Sequence, residues 1–312
     1  MRESTPSASW HPGSRAVEMI AGLSAGFVTT VVSHPLDFIK LRMQLDVTSA
    51  TQWQAFHRIY EDLMRSSSTT ASRTSSRKLI QSIYRGVGPN LVGSTAAWAL
   101  YFTFYREYKN LMLDYHHSEH NDSNLNSGQY LLCAFEAGWT TSLITNPIWV
   151  IKTRMISTSR STPGAYTSIW DGIKQIFIHE GFKGYYKGLS PALVNVSQGA
   201  LQFSIYDTFK HHLILKEGQT ERDLTTLEYL YASATSKMLA TISLYPLQVI
   251  RSRLQVNSNK HMESVVYLVH KMATQEGLKG FYKGIVANLI RVVPATCITF
   301  TVYENMRTIL LS

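Results

Sequence analysis

A proline-centred pattern recurs three times along this chain of 312 residues, and it limits the possible folds more tightly than any other feature. The first copy reads Pro35-Leu36-Asp37-Phe38-Ile39-Lys40-Leu41-Arg42-Met43-Gln44. The second reads Pro147-Ile148-Trp149-Val150-Ile151-Lys152-Thr153-Arg154, and the third Pro246-Leu247-Gln248-Val249-Ile250-Arg251-Ser252-Arg253-Leu254-Gln255. The prolines stand 112 and 99 residues apart, so the repeating unit is about a hundred residues long. An aromatic-basic-glycine step follows in each unit, at Tyr84-Arg85-Gly86, Tyr186-Lys187-Gly188 and Tyr282-Lys283-Gly284. A third element closes the units: Tyr105-Arg106-x-x-Lys109, Tyr206-Asp207-x-x-Lys210 and Tyr303-Glu304-x-x-Arg307. A repeated unit of this kind buries its apolar faces against its copies, so the three must be read together.

Uncharged runs at 19–36, 86–105 and 188–206 are close to the roughly 20 residues that span a bilayer. Shorter runs occupy 137–151, 238–250 and 292–303. All six carry Ser, Thr, Asn, Gln or Gly on part of the helix surface, as expected of helices with one face to lipid and one to a watery cavity. That explains a mean hydropathy near zero. The alternative, a soluble amphipathic α-bundle, leaves the triple proline pattern unexplained. The expected fold is an all-α membrane protein with six transmembrane helices, near 16–45, 89–114, 128–157, 190–214, 227–256 and 286–310. Two spans per unit give all units one orientation, so the repeats relate by an axis along the membrane normal. Repeat boundaries are expected at 1–115, 127–215 and 226–312, forming one transmembrane domain.

Short amphipathic helices are expected between the spans of each pair, near 52–64, 168–179 and 263–275. The Ser- and Thr-rich tract 66–77 reads as a loop, and 116–127 and 216–226 as polar connections. Each repeated proline removes a helix hydrogen bond and kinks its span, drawing the odd-numbered helices together at one end. Gly22-x-x-x-Gly26 has the spacing that permits close helix contact, while the third copy places Lys237 where a small residue is expected. A lysine inside a membrane is costly and reads as functional.

Several classes are set aside. Cys133 and Cys297 lie singly in apolar segments, without metal or disulfide spacing, and are expected as small core residues. Residues 1–15 lack an apolar core, so no cleavable secretory leader is expected. His116, His117 and His120 sit in a polar stretch where surface exposure is the simpler expectation than a metal site. No catalytic dyad is visible, and no enzyme activity, metal or bound cofactor is expected. The formal charge of +9 is distributed by repeat rather than gathered into a reading surface, so no nucleic-acid partner is expected.

Taken together, these three patterns resemble the mitochondrial carrier family over residues 16–310. The resemblance implies a monomeric, multi-pass transporter of the mitochondrial inner membrane that alternates between cytosol-open and matrix-open states, its short amphipathic helices on the matrix side. Asn146 to Arg154, Ala97 to Phe102, 197–201 and Arg291 to Phe300 are similar to the branch carrying FAD, folate and related nucleotides.

Carried over, the resemblance implies a matrix gate of Asp37, Lys40, Trp149, Lys152, Gln248 and Arg251, braced by Gln44 and Gln255 but not at Ile156. Asp37 would pair with Lys152, Trp149 would face Arg251 by cation–π contact, and Gln248 would face Lys40. The cytoplasmic gate would pair Asp207 with Arg307 and Glu304 with Lys109. Arg106 stands where an acid belongs, leaving Lys210 without its partner. Substrate contacts would fall at Gly93, Ala97, Trp98, Tyr101, Asn195, Val196 and Arg291. Arg291 offers a fork for a phosphate, and Trp98 or Tyr101 a face for a ring system. FAD is the expected cargo, with folate, pyridine nucleotide and pyrimidine nucleotide as alternatives; a degenerate proton leak is the rival class. The basic charge suits an anionic membrane, and the aromatic-basic-glycine steps resemble cardiolipin sites.

Overall fold

The computed structural model describes residues 12–68, 72–120, 125–158, 164–215, 226–257 and 264–311. Its order is α1 (Pro12–Leu45), α2 (Gln52–Ser68), α3 (Ser72–Ile83), α4 (Val87–His120), α5 (Ser127–Ser157), α6 (Ile169–Glu180), α7 (Leu189–Asn195), α8 (Gln198–Leu215), α9 (Thr226–Val256), α10 (Val265–Gln275) and α11 (Ile285–Leu311). Six spans follow: α1, α4, α5, the pair α7–α8, α9 and α11. By hydropathy alone only the stretch Leu278–Leu310 passes as a membrane span among the described residues. The other spans carry polar side chains towards a central hollow, which lowers their mean without removing their lipid face. Leu23, Phe27, Leu143, Phe203 and Ile290 stand exposed on the surface of the described helices, as a lipid solvent allows.

The most extensive helix packing lies between repeats: α1 against α11, α4 against α5, and α8 against α9. Each repeat therefore leans on its neighbours, and the third closes onto the first. At the proline end, three equivalent apolar clusters seal the spans against the short helices. They centre on Phe38 with Ala55 and Ile59, on Ile151 with Ile176 and Tyr185, and on Ile250 with Met272 and Phe281.

The repeated glycine turns the chain into each even-numbered span. Gly86, Gly188 and Gly284 have φ of 81°, 73° and 81°, the left-handed region where a side chain is strained. The residue before each repeated proline then ties down that corner. His34 Nε2 lies 3.2 Å from the Arg85 carbonyl, Asn146 donates to the Tyr185 carbonyl at 2.7 Å, and the Tyr245 hydroxyl donates to the Lys283 carbonyl at 3.0 Å.

Five local features differ from expectation. The tract read as a loop forms helix from Ser72 onward, because α3 packs on α2 and gains tertiary support that Ser and Thr propensities do not reveal. α4 runs on to His120, into the stretch read as a connection; only the backbone of His116, His117 and His120 is described. The expected connection at 216–225 lies outside the described residues. The fourth span breaks between Asn195 and Gln198, where Val196, Ser197 and Gly199 donate to carbonyls three residues back. Finally, Gly22 and Gly26 meet nothing within 4 Å, so their spacing makes no close helix contact here. Cys133 is buried as expected, but Cys297 is exposed.

Candidate functional site

The central hollow narrows to a basin of about 370 Å³ above the proline kinks. Its lining brings together five cations, Lys40, Lys152, Lys237, Arg251 and Arg291, with the single carboxylate of Asp37. Trp149, Asn195, Gln198, Gln248 and Asn288 add polar or aromatic surface. A low-dielectric hollow with this excess of positive charge attracts polyanions and disfavours cations.

Each basin residue is placed by repeat register. Asp37 and Lys40 lie one turn apart on α1, Trp149 and Lys152 on α5, and Gln248 and Arg251 on α9. Lys40 donates to Gln248 Oε1 at 3.1 Å, the neutral pair expected between first and third repeats. The other two expected pairs are replaced. Asp37 pairs with Arg291 at 2.9 Å, not with Lys152, because the long Arg291 side chain reaches the carboxylate from α11. Lys152 instead lies over the Trp149 ring, 5.0 Å from its centroid, so the tryptophan takes the cation of its own helix rather than Arg251.

Below the basin, a second layer repeats with threefold regularity. Arg42 donates to the Ile156 carbonyl at 3.0 Å, Arg154 to the Gln255 carbonyl at 2.7 Å, and Arg253 to the Gln44 carbonyl at 2.9 Å. Each unit's second cation thus holds the backbone at the end of the next unit's kinked helix. Gln44 donates to the Tyr245 hydroxyl and accepts from Ser252; Gln255 accepts from Thr153. Gln44 and Gln255 therefore clamp neighbouring helices together, whereas Ile156 offers its carbonyl and an aliphatic side chain buried in the Phe38 cluster.

Two buried carboxylates fasten this layer. Glu180 binds Arg154 at 2.5 Å and Lys187 at 2.6 Å. Glu276 binds Arg253, and Lys283 at 2.6 Å. Burial alone would raise both carboxyls, but the hydrogen bonds from their cationic partners outweigh it and hold both below the ordinary range. The first repeat carries Lys78 at this register, so its corner is built otherwise: Arg85 donates to Thr158 and to the Tyr166 carbonyl. The tandem Glu-Gly pairs 180–181 and 276–277 are the sequence signal for these clamps.

Of the expected substrate contacts, Asn195 and Arg291 line the basin. Gly93 is turned onto α5, where an added Cβ would lie 3.1 Å from Ile148 and 3.4 Å from Trp149. Val196 faces Gly138 across the same junction, the added Cβ there lying 2.6 Å from it. Ala97, Trp98 and Tyr101 are also outside the basin lining. Trp98 stacks on Phe102 at 5.5 Å, and Tyr101 on Tyr105 at 6.1 Å. Gln198, Thr241 and Asn288 were not expected and do line it. A polar network joins the first two to Gln248: Gln248 donates to Gln198 at 3.3 Å, and Gln198 to Thr241 at 3.0 Å. Such amides and hydroxyls carry no charge pattern, which is why spacing alone passed over them.

At the opposite end, Asp207, Arg307, Glu304, Lys109 and Lys210 make no ion pair with one another, nor with any other described residue. The two pairs expected there are open while the proline end is closed.

Comparison with known proteins follows this geometry. The family model described as mitochondrial carrier protein matches residues 12–116, 123–217 and 222–312. The mitochondrial FAD carrier protein FLX1 of Saccharomyces cerevisiae is 41% identical over 305 residues, covering 93% of this chain and 96% of the relative. Folate transporter 1, chloroplastic, of Arabidopsis thaliana is 35% identical over 298 residues, covering 92% of each chain. Nicotinamide adenine dinucleotide transporter 1, chloroplastic, of the same plant is 33% identical over 299 residues, covering 94% of this chain and 91% of the relative.

Proposed function

The chain belongs to the mitochondrial carrier family, and on that premise we propose that it carries FAD across the mitochondrial inner membrane by alternating access. The observation that carries the reading is the basin itself: five cations share one carboxylate, which Arg291 holds. FAD brings a doubly charged pyrophosphate, which suits such an excess of positive charge. Similarity to a yeast FAD carrier over nearly the whole chain supports the same cargo.

The residues suggest how cargo would open the closed end. Arg291 is held by Asp37 before cargo arrives. A phosphate entering from the open side competes for that guanidinium, offering a bidentate acceptor of higher charge. Release frees Asp37 from Arg291, so the basin loses its one ion pair at the moment the site fills. Binding free energy is thus directed into the gate rather than into tighter binding alone. Asn195 and Gln198 would hold uncharged parts of the cargo. The three repeats act as one transmembrane domain and one monomer in this scheme. Cardiolipin would settle at the glycine corners, where Lys187 and Lys283 are already committed to Glu180 and Glu276.

The test is uptake into liposomes holding the purified full chain, using labelled FAD, folate, NAD and a pyrimidine nucleotide. Saturable FAD uptake is expected, reduced at least about tenfold by Arg291→Ala, the loss of one charge-assisted contact. Preferential folate uptake would replace the cargo. Flux that neither saturates nor responds to Arg291→Ala would favour the leak instead.

A further inference from the structure

One basin cation is left unexplained by the gate and by Arg291. Lys237 stands nine residues before Pro246, the register that holds Gly26 before Pro35 and Gly138 before Pro147. At Gly138 the following span comes so close that an added Cβ would lie 2.6 Å from Val196, the neighbour of Asn195. Repeat symmetry therefore sets Lys237 level with Val292, the neighbour of Arg291, and all three line the basin. The side chain is exposed to the hollow and makes no hydrogen bond or ion pair among the described residues. One turn below it, Thr241 accepts from Gln198. The Asn195 carboxamide oxygen, also on this wall, is shut from solvent with no donor reaching it.

A lysine in place of a small residue at mid-membrane is costly unless an anion answers it. Arg251 is no substitute, since it lies 14 residues further along α9, about 21 Å at the helical rise. Arg291 is at the right level but already shared with Asp37. We propose that Lys237 and Arg291 form a two-cation clamp for adjacent phosphoryl groups, making Lys237 the residue that selects diphosphate cargo over single phosphates and carboxylates. The compact ammonium docks one phosphoryl group without displacing anything, and the second then competes with Asp37 for the Arg291 fork. The clamp rests on the transport reading for its site, but it is indifferent to what the diphosphate is attached to.

The experiment measures affinities of the detergent-purified full chain by thermal shift, pairing FAD with FMN, NAD with nicotinamide mononucleotide, and inorganic pyrophosphate with phosphate. Wild type is expected to prefer the diphosphate member of at least one pair by about tenfold. Lys237→Gln removes that preference and leaves the single-phosphate member within about threefold, and Lys237→Arg restores it. The ligand-free melting point of each variant reports that it is folded, as an exposed cavity side chain permits. Equal loss for both members of a pair, or no loss, overturns the clamp. So does wild type that binds no diphosphate. If FAD fails but another diphosphate binds with the same dependence on Lys237, the flavin reading falls and the clamp stands.

Discussion

A Cβ on Gly188 would lie 2.9 Å from the Arg251 carbonyl oxygen, on a backbone whose φ is 73°. Neither neighbour can yield, because Arg251 belongs to the kinked part of α9 and the corner is fixed by Asn146. Gly188→Ala is therefore expected to lower stability by about 1–3 kcal/mol from backbone strain, with the close contact adding to it. Gly22→Ala is the contrasting case: nothing lies within 4 Å, and alanine is the better helix former by about 1 kcal/mol. Thermal unfolding of both variants in detergent should show a fall for the first and none for the second. At this scale the sequence was only partly legible. Register places Gly93 and Val196 on the right turns, yet one residue of helix rotation turns both onto α5 and away from the basin. Arg291 was legible as a cation at the right level, but its partner was not, since a long flexible side chain reaches more than one carboxylate. Gln198 was legible only as part of the run 197–201, with no sign of its place in the basin, and the uncharged Asn288 left no signal.

Among the elements, the clamps at the ends of α6 and α10 hold the closed end together. Glu180 satisfies two cations at once, and its side chain is 3% exposed. Replacing it by glutamine leaves Arg154 and Lys187 buried without their charge, a cost of about 3 kcal/mol at neutral pH. Because the folded carboxyl is held below its ordinary value of 4.5, its contribution is complete above that value. It is lost as pH falls through the folded pKa. Melting curves of wild type and Glu180→Gln should therefore differ at pH 7 and approach each other as pH falls from 4.5 through the lower folded pKa, beneath which both side chains are neutral. Element order was largely open to sequence reasoning, because proline, glycine and cation recur at fixed offsets and tertiary packing only reinforces them. α3 escaped because its serines and threonines mask a helix that packing on α2 supports. The break at Val196 escaped because no proline or paired glycine announces it.

Across the whole molecule, the closed end is a ring whose members mostly lack acids. Lys40 meets Gln248, Lys152 meets Trp149, and the only basin carboxylate is spent on Arg291. A hydrogen bond from lysine to an uncharged amide and a cation–π contact are each worth about 1–2 kcal/mol, less than a full set of buried ion pairs across the repeats, so the barrier to parting them at this level is low. Introducing acids by Trp149→Asp together with Gln248→Glu gives Arg251 and Lys40 carboxylate partners across the repeat junctions. At about 1–1.5 kcal/mol gained by the closed state, the opening rate should fall roughly five- to tenfold. Two effects must be kept apart, because the same acids also make the basin less attractive to an anion. Lower attraction raises the concentration needed for half-maximal uptake, whereas a stiffer gate lowers the maximal rate at saturating cargo. Liposome uptake measured over a full concentration range separates them, and the melting point should rise alongside. A maximal rate that stays at the wild-type level, with only the half-saturation shifted, would mean that the ring does not govern opening and that the second layer of Arg42, Arg154 and Arg253 does.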